Sequence, residues 1–521
     1  MSPKTRSCPA AWPPRWSVFV VLLIVSSAAL GQDWPRWGGD ASCNMVAPLV
    51  RGLPADFDPG SRVGLGDRID QKKAKAIKWI AKLGSNTYGN PTVAAGRVYV
   101  GTNNDAPRQD KFTGDRSNVY CLDEQTGEFL WQLSVPKLGA GKVGDWEYLG
   151  ICSSPTVDGD RIFLVTNRCE VVCLDAAGMA NGNDGPFTDE DQYAAGPGKP
   201  PIAIGEEDAD ILWRFDIAGE VGAFPHNVTS SSVLVIGDRV YANTSNGVDY
   251  SHKHIINQRA PALIVLDKAT GQLIGEEAAG ISQHVFHGSW SSPSSGLVGK
   301  SRQIFFGAGD GFCYGFDAEP MPGDDGFSLL GQRWRFDCNP ARYRIRDGQP
   351  NRYATYKGPS EIIATPVFHD NKVYVAIGQD PEHGEGVGAL SCIDATQQGD
   401  VSAGGRIWQY TDIDRTIGTV SIDGGLLYVA DYAGVIHCLD TATGAVYWKH
   451  DTQGHIWGST LVADGKVFAG NEDGYLTILE AGRQKKLLAV VDFGAPIYSS
   501  PVAANGTLYV ATMMHLYAIQ K

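Results

Sequence analysis

A unit of about 40 residues recurs along this chain, a period typical of one four-stranded propeller blade, and it constrains the fold more than any other feature. One clear copy begins at Val420, continues through Gly434–Asp440 and ends in Ala442–Trp448. Seven other copies open at Pro91, Pro155, Val233, Pro293, Pro366, Leu461 and Pro501. Eight openings predict eight blades.

Within each copy the residues follow the pattern of short antiparallel strands. Small residues open the unit, as in Ser153–Pro155, and a Gly, Asn or Asp turn leads into an alternating strand such as Arg97–Val100. A third strand ends in Leu-Asp, and a Thr-Gly turn often leads to a fourth strand that carries Trp. The recurring tryptophans are Trp131, Trp213, Trp334, Trp408 and Trp448. Such large rings are expected to dock one blade on the next.

At two junctions this tryptophan is missing. Ile or Leu replaces it near Ile274 and Leu488. The pattern predicts weaker docking there.

The last copy, from Pro501, has only three strands. The segment Lys78–Lys82 precedes the first opening and includes a tryptophan, so it can supply the missing fourth strand. Closure of the ring by the two chain ends leaves fewer exposed sheet edges. We therefore predict an all-β, eight-bladed β-propeller over residues 79–521, closed by an N-terminal strand. Residues 32–78 are expected to pack outside the ring.

Residues 1–31 have the pattern of a secretory signal. Basic residues come first, the apolar run Val18–Val25 follows, and Ala29 and Gly31 precede an expected cleavage point. The apolar run is well short of the roughly 20 residues of a spanning helix, which disfavours a membrane anchor. The pattern predicts export to the periplasm or the cell exterior, and no membrane span in the mature chain.

Charge and cysteine content narrow the classes of partner. The formal net charge is −14, and removal of the three basic residues of the signal would leave it near −17. A surface this acidic repels phosphate backbones, so nucleic acid is not an expected partner. Nine cysteines would remain, and an odd number cannot pair completely within one chain. The protein is expected to be a monomer. Four of the cysteines share one repeat position and are expected to be buried filler: Cys121, Cys173, Cys392 and Cys438.

Loop lengths predict which side of the ring has the function. In a propeller, the links from strand two to three and from strand four to the next blade emerge on one face, here called the long-loop face. It collects seven long insertions: 102–117, 132–151, 217–229, 243–261, 276–289, 338–362 and 377–388. Long loops on a rigid scaffold usually carry binding or catalysis, although they can simply cover the channel.

Two groups on this face are candidate site residues. The acidic loop 379–385 offers Asp380, Glu382, His383 and Glu385 as ligands for a hard cation such as Ca²⁺. A solvated loop without metal is the alternative. Trp290 and Trp457 stand beside strand openings, near the expected channel mouth, where a flat ligand could stack on them. Packing around the axis is the alternative for both rings.

Other patterns carry less chemistry. Six histidines fall on the long-loop face, and no pair has the spacing of a metal-ligand motif, so each is expected to be an ordinary hydrogen-bonded side chain: His226, His252, His254, His284, His287 and His455. Searches for a nucleophile elbow, a zinc-protease helix and a phosphate-binding loop find nothing.

The motif Leu122–Trp131, repeated in Leu439–Trp448, resembles the PQQ-enzyme repeat proteins. That family includes quinoprotein alcohol dehydrogenases and the non-enzymatic outer-membrane assembly proteins of the BamB type. The dehydrogenases commonly hold the quinone under a disulfide of adjacent cysteines, and this chain has no adjacent pair. We therefore predict a binding or scaffold module for a small molecule, protein or polysaccharide. The alternative is a quinoprotein oxidoreductase of alcohols or sugars, for which the resemblance implies PQQ and Ca²⁺.

Overall fold

The computed structural model describes residues 1, 3–4, 31–64, 67–323, 328–351, 358–383 and 386–521. Nearly all of the expected signal segment lies outside these residues. Contacts divide the chain into Met1–Leu30 and Gly31–Lys521, and the second unit contains all the elements below. Within the described part of the chain, no helix has the length and apolar character needed to cross a membrane.

Eight four-stranded antiparallel sheets follow one another along the second unit, and they confirm the eight-bladed propeller. In each blade the first strand is innermost and the fourth is outermost. Blade 1 comprises Thr92–Ala94, Arg97–Asn103, Arg116–Asp123 and Phe129–Pro136; blade 2, Thr156–Asp158, Arg161–Thr166, Glu170–Asp175 and Ile211–Asp216; blade 3, Leu234–Ile236, Arg239–Asn243, Leu263–Asp267 and Leu273–Glu277; blade 4, Ser294–Val298, Ser301–Gly307, Phe312–Asp317 and Gln332–Asp337.

The second half of the ring repeats this plan. Blade 5 comprises Val367–His369, Lys372–Ile377, Ala389–Asp394 and Arg406–Tyr410; blade 6, Ser421–Asp423, Leu426–Ala430, Val435–Asp440 and Val446–Asp451; blade 7, Leu461–Ala463, Lys466–Gly470, Tyr475–Glu480 and Leu487–Asp492; blade 8, Val502–Ala504, Thr507–Ala511, His515–Ile519 and Ile77–Lys82. The last of these strands pairs antiparallel with His515–Ile519, so the N-terminal strand closes the ring as predicted.

A few short elements decorate the blades. Additional strands lie at Val46–Ala47, beside the first strand of blade 7, at Met321–Pro322 and Ser328–Leu330, outside blade 3, and at Gly399–Asp400, outside blade 4. Two hairpins pair Ser61–Arg62 with Ile69–Asp70 and Ile345–Arg346 with Gln349–Pro350. The described helices are short: α-helices Glu190–Ala195, Ile217–Val221 and Ala341–Arg344, and 3₁₀ turns Gln71–Lys73, Gly178–Asn181, Ile281–Gln283 and Pro381–His383.

Five of the six repeated tryptophans dock neighbouring blades through one recurring contact, whereas Trp334 Nε1 donates to Gln303 Oε1 within its own blade. In blade 8, Trp79 Nε1 donates a hydrogen bond of 3.0 Å to the carbonyl of Glu124 in the turn of blade 1. Gly127 of that turn has φ +73°, and a Cβ there would lie 2.6 Å from the Trp79 ring. The glycine of the Thr-Gly turn is therefore required both by its backbone conformation and by the ring lying on it. Equivalent indole–carbonyl bonds join Trp131 to Ala176, Trp213 to Lys268, Trp408 to Thr441 and Trp448 to Gly482.

Strand register identifies the two positions at which the tryptophan is missing. Gly275 in blade 3 pairs with Val265, and Ala489 in blade 7 pairs with Ile478, where blades 1, 2, 5 and 6 pair Trp with Cys. The small residues therefore stand one position after Ile274 and Leu488. At Gly275 a Cβ would lie 2.7 Å from Pro320, so this proline fills the space of the absent ring.

Residues 32–47 lie against the inner strands of the ring, so for this part of the chain the expectation that residues 32–78 pack outside the ring is wrong. Trp34 and Val93 exchange two backbone hydrogen bonds of 2.8 and 3.0 Å. The segment then contacts the inner edge of each blade in turn and so passes once around the axis. Its successive hydrogen-bond partners are Asn505, Val93, Val157, Val235, Ser295, Phe368, Ile422 and Val462. The unpaired inner strand edges explain this path, because their backbone groups need partners.

Candidate functional site

A cavity of about 360 Å³ lies where the segments that open the eight blades converge on the axis. Residues that precede the first strand of every blade contribute to its wall, so the cavity belongs to the long-loop face. Trp37 of the N-terminal segment also lines it, and its Nε1 donates a 2.9 Å hydrogen bond to Thr365 Oγ1. The segment inside the ring therefore forms part of the cavity wall.

One side of the cavity is aromatic. Tyr88 and Tyr498 stack with ring centroids 4.9 Å apart and planes 7° apart. Trp457 meets the Tyr498 ring edge-on at 5.3 Å, and its Nε1 donates to Glu472 Oε2 at 3.0 Å. These three rings are half-buried, so they offer apolar faces to a ligand at the mouth of the cavity.

Trp290 lies in another part of the wall and is mostly enclosed, with 7% of its surface exposed. Its Nε1 lies 3.1 Å from the carbonyl oxygens of His226 and Val228, both of which accept from it. The two predicted stacking residues therefore share one cavity. Trp457 is the more accessible of them.

The acidic loop contributes Asp380 and Glu382 to the same cavity. Asp380 Oδ1 accepts from the Glu382 backbone at 3.0 Å, and its Oδ2 accepts from Asn227 Nδ2 at 3.3 Å. The backbone of His383 ends the 3₁₀ turn Pro381–His383, but its side chain and Glu385 lie outside the described residues. Metal binding by this loop stays a prediction.

Glu361 is a buried residue that accepts a hydrogen bond from the backbone of the acidic loop. It is fully buried, and its Oε1 accepts from the Asp380 backbone at 3.0 Å. Burial, with a smaller contribution from the Asp380 charge, raises the pKa of Glu361 to about 8. This carboxyl group is therefore protonated at neutral pH, and sequence reasoning did not single it out.

Among the described residues that line the cavity, the charged side chains are all acidic: Glu147, Asp380 and Glu382. The acidic groups affect the aromatic hydroxyls nearby. Burial, together with the charges of Glu472 and Glu382, raises the pKa of Tyr498. The described lining of the cavity therefore combines aromatic rings with carboxylates.

Directly behind Trp290, three histidines from three separate loops come together. His226, His252 and His287 place one ring nitrogen each within 4.8 Å of the others. The sequence pattern predicted only ordinary hydrogen-bonded loop histidines at these positions. The prediction was incomplete because the three residues have no diagnostic spacing along the chain, and only the packing of blades 3 and 4 brings their loops together.

None of the nine described cysteines forms a disulfide. The four at the shared repeat position are buried, in agreement with a filler role. Cys152 lines the cavity, and burial raises the pKa of its thiol to about 12.

Comparisons with known proteins support the same architecture. A model of the family described as outer membrane protein assembly factor BamB matches residues 76–318 and 387–487, about two thirds of the chain. The structure of BamB from Moraxella catarrhalis superposes with a TM-score of 0.54 at 13% identity, over 85% of this chain and 99% of that one. A europium-containing methanol dehydrogenase superposes with a TM-score of 0.57 at 13% identity, over 92% and 89% of the two chains.

Sequence similarity to a curated relative is local. The quinoprotein alcohol dehydrogenase PedH of Pseudomonas putida is 30% identical over 86 residues, which are 16% of this chain and 14% of the relative. At such low identity or coverage, these matches establish the fold and leave the activity open. With the family match extending over most of the propeller, this chain belongs to the outer membrane protein assembly factor BamB family of PQQ-like repeat proteins.

Proposed function

We propose that this chain is a non-catalytic binding propeller, and that the cavity of the long-loop face takes a cationic group with an apolar body, such as an alkylammonium. One observation carries the proposal: the described lining is aromatic and acidic, and it includes no lysine or arginine.

The physical basis is the pairing of rings with carboxylates. A cation over the face of Trp or Tyr is attracted by the ring quadrupole, by about 0.5–2 kcal/mol depending on desolvation. Trp457 and Tyr498 supply accessible ring surface, and Glu382 supplies an exposed carboxylate beside them. A neutral sugar could stack on the same rings and donate hydroxyl hydrogen bonds to the carboxylates, but it would gain no charge–charge attraction from them.

The quinoprotein alternative fits this cavity less well. PQQ is a planar tricarboxylate, so its ring system suits the aromatic wall but its charges need cationic partners. The described lining residues offer three carboxylates instead. The carboxylates could hold Ca²⁺, but the described residues do not match the quinone itself, and we derive no redox step for this chain.

We also propose that the protein is exported. The support is the signal-like pattern of residues 1–31 together with membership of a family named for outer-membrane assembly. A fusion of residues 1–40 to a phosphatase that folds only outside the cytoplasm tests this. Activity that depends on the apolar run Val18–Val25 supports export, and equal activity after replacement of that run with polar residues contradicts it.

Tryptophan fluorescence provides the binding test. The purified chain is titrated with choline, spermidine and a lysine-rich peptide, and in parallel with citrate and with PQQ plus Ca²⁺. We expect saturable changes for a cation and none for the anions. Trp457→Ala and Glu382→Gln should weaken binding, whereas Glu480→Gln, an exposed strand residue paired with Lys486, should not.

Two outcomes would contradict the proposal. Tight uptake of PQQ with dye-linked oxidation of an alcohol would establish the quinoprotein alternative. Binding of cations that is unchanged in both Trp457→Ala and Glu382→Gln would remove the cavity as the site.

A further inference from the structure

The three histidines behind Trp290 form a compact and largely buried cluster. His226 and His287 are 0% and 5% exposed, and His252 is half-buried. Ring centroids are 4.2 Å apart for His226 and His287, and 5.0 and 5.1 Å apart for the pairs with His252. The three side chains therefore bring one ring nitrogen each into one small volume, within 4.8 Å of the other two.

The hydrogen bond of His226 determines its tautomer. Its Nδ1 lies 2.7 Å from the carbonyl oxygen of Val248. A carbonyl only accepts, so Nδ1 is the donor, and in the neutral ring Nε2 is then the nitrogen available to a metal ion. Histidine ligands of metal ions are usually oriented in this way, by a backbone carbonyl or carboxylate at the other ring nitrogen.

The remaining two rings are in direct contact with each other. His252 Nδ1 and His287 Nε2 are 2.8 Å apart. In tetrahedral zinc sites, Zn–N distances of about 2.0–2.1 Å place two ligand nitrogens about 3.3 Å apart. The pair would therefore need to open by only about half an ångström to accept an ion.

Backbone packing holds the three loops together independently of any ion. The Val248 backbone donates a 2.9 Å hydrogen bond to the carbonyl of His287. Gly247 lies so close to both neighbours that a Cβ would be 2.6 Å from the His287 carbonyl and 2.7 Å from the His226 Cβ. His252 adopts φ +56°, a left-handed conformation that a histidine seldom takes without a compensating contact. The cluster is thus positioned by the backbone, as expected of a binding site.

We propose that His226, His252 and His287 bind one divalent transition-metal ion, and that Zn²⁺ is the best match. Imidazole nitrogens suit Zn²⁺, Cu²⁺ and Ni²⁺ rather than Ca²⁺ or Mg²⁺. Three protein ligands leave the fourth tetrahedral position to water or another donor. The ion would join the loops 217–229, 243–261 and 276–289 and so fix the wall formed by Trp290, whose ring centroid lies 5.5 Å from that of His287.

The test uses the full chain without a polyhistidine tag, stripped with EDTA and dialysed. Zn²⁺ is then added alone and measured by calorimetry and by elemental analysis after desalting. We expect one zinc per chain and a rise in melting temperature. Co²⁺ in place of Zn²⁺ should give the intense visible absorption of a four-coordinate site rather than the weak spectrum of a six-coordinate ion.

Variants within single loops make the test specific. His252→Gln and His287→Gln should weaken zinc binding by at least the 10- to 100-fold that loss of an outer-shell partner costs. His254→Gln and His284→Gln are the matched controls, because both residues are exposed and lie in the same two loops. The controls should bind zinc as the parent does.

The proposal is overturned if the parent retains no stoichiometric zinc, or if His254→Gln loses as much affinity as His252→Gln. Metal-free melting curves of all four variants report on folding. If His287→Gln fails to fold, His252→Gln still decides the question, since its half-buried ring contributes less to packing.

Discussion

Trp37 donates a hydrogen bond from its indole nitrogen to the hydroxyl of Thr365, a residue 328 positions later in the chain. The contact connects the N-terminal segment inside the ring to the opening of blade 5. It also places an aromatic ring in the wall of the candidate binding cavity.

This contact predicts a measurable coupling between the two residues. Trp37→Phe keeps an aromatic ring but removes the donor, and Thr365→Val removes the acceptor at nearly constant volume. Each single change should destabilise the protein, and a double-mutant cycle from urea unfolding should give a coupling of about 1 kcal/mol. Strict additivity would mean that the hydrogen bond contributes nothing.

The closing strand gives a larger expected effect. Trp79 is 8% exposed and lies on Gly127 of the neighbouring blade. Trp79→Ala should lower the free energy of unfolding by about 3–5 kcal/mol, because it leaves a cavity at the junction of blades 8 and 1. Trp79→Phe, which loses mainly the bond to the Glu124 carbonyl, should cost about 1 kcal/mol.

Deleting residues 33–83 removes the closing strand altogether and exposes the edge of His515–Ile519. Aggregation or loss of cooperative melting is expected by light scattering and calorimetry. A monomeric deletion variant with the parent melting curve would mean that the ring closes without this strand.

Glu361 predicts how stability depends on pH. Its pKa rises from an ordinary 4.5 to about 8 on folding, so the folded state binds more protons than the unfolded state between those values. The free energy of unfolding should therefore fall as pH increases from about 5 to 8, by at most about 1.4 kcal/mol per pH unit from this group. Glu361→Gln should flatten that slope and be more stable than the parent above pH 8. Urea titrations in EDTA at several pH values provide the measurement, and parallel slopes for the two proteins would contradict the prediction.

The acidic loop gives a calcium prediction. If Asp380 and Glu382 bind Ca²⁺, the ion should stabilise the folded state by about 2.7 kcal/mol at a hundredfold excess over its dissociation constant. Thermal melts with Ca²⁺ and then EDTA compare the parent with Asp380→Ala/Glu382→Ala/Glu385→Ala. Glu206→Ala/Glu207→Ala, two exposed acids that do not line the cavity, is the control. If the parent does not respond to calcium or chelator, the loop is simply solvated.

The sequence predicted the propeller well because the repeat is a local signal. The openings at Pro155 and Pro501 precede observed first strands by one residue each, and the closing strand around Trp79 was inferred from the missing fourth strand of blade 8. Counting strands also assigned the aromatic candidate Trp457 and the acidic candidate Asp380 to the same face. Both residues line one cavity on that face.

The features that the sequence did not predict depend on contacts that do not recur with the repeat. The path of residues 32–47 is set by hydrogen bonds to all eight blades, through backbone groups for six of them and through the side chains of Arg36 and Asn44 for the other two. The backbone bonds leave no side-chain pattern. The meeting of His226, His252 and His287 depends on how three irregular loops fold back on one another. The raised pKa of Glu361 reflects burial, and the sequence of a loop does not reveal whether one acidic residue in it is buried.

The path of residues 32–47 has a consequence for the order of assembly. These residues are synthesised before any of the blades, yet their partners are distributed along the chain from Val93 to Asn505. Contacts of such large sequence separation form late and slow the folding of a protein. The central segment therefore cannot be fully seated until the last blade has been synthesised, and a nascent or truncated chain should stay open and recognisably incomplete.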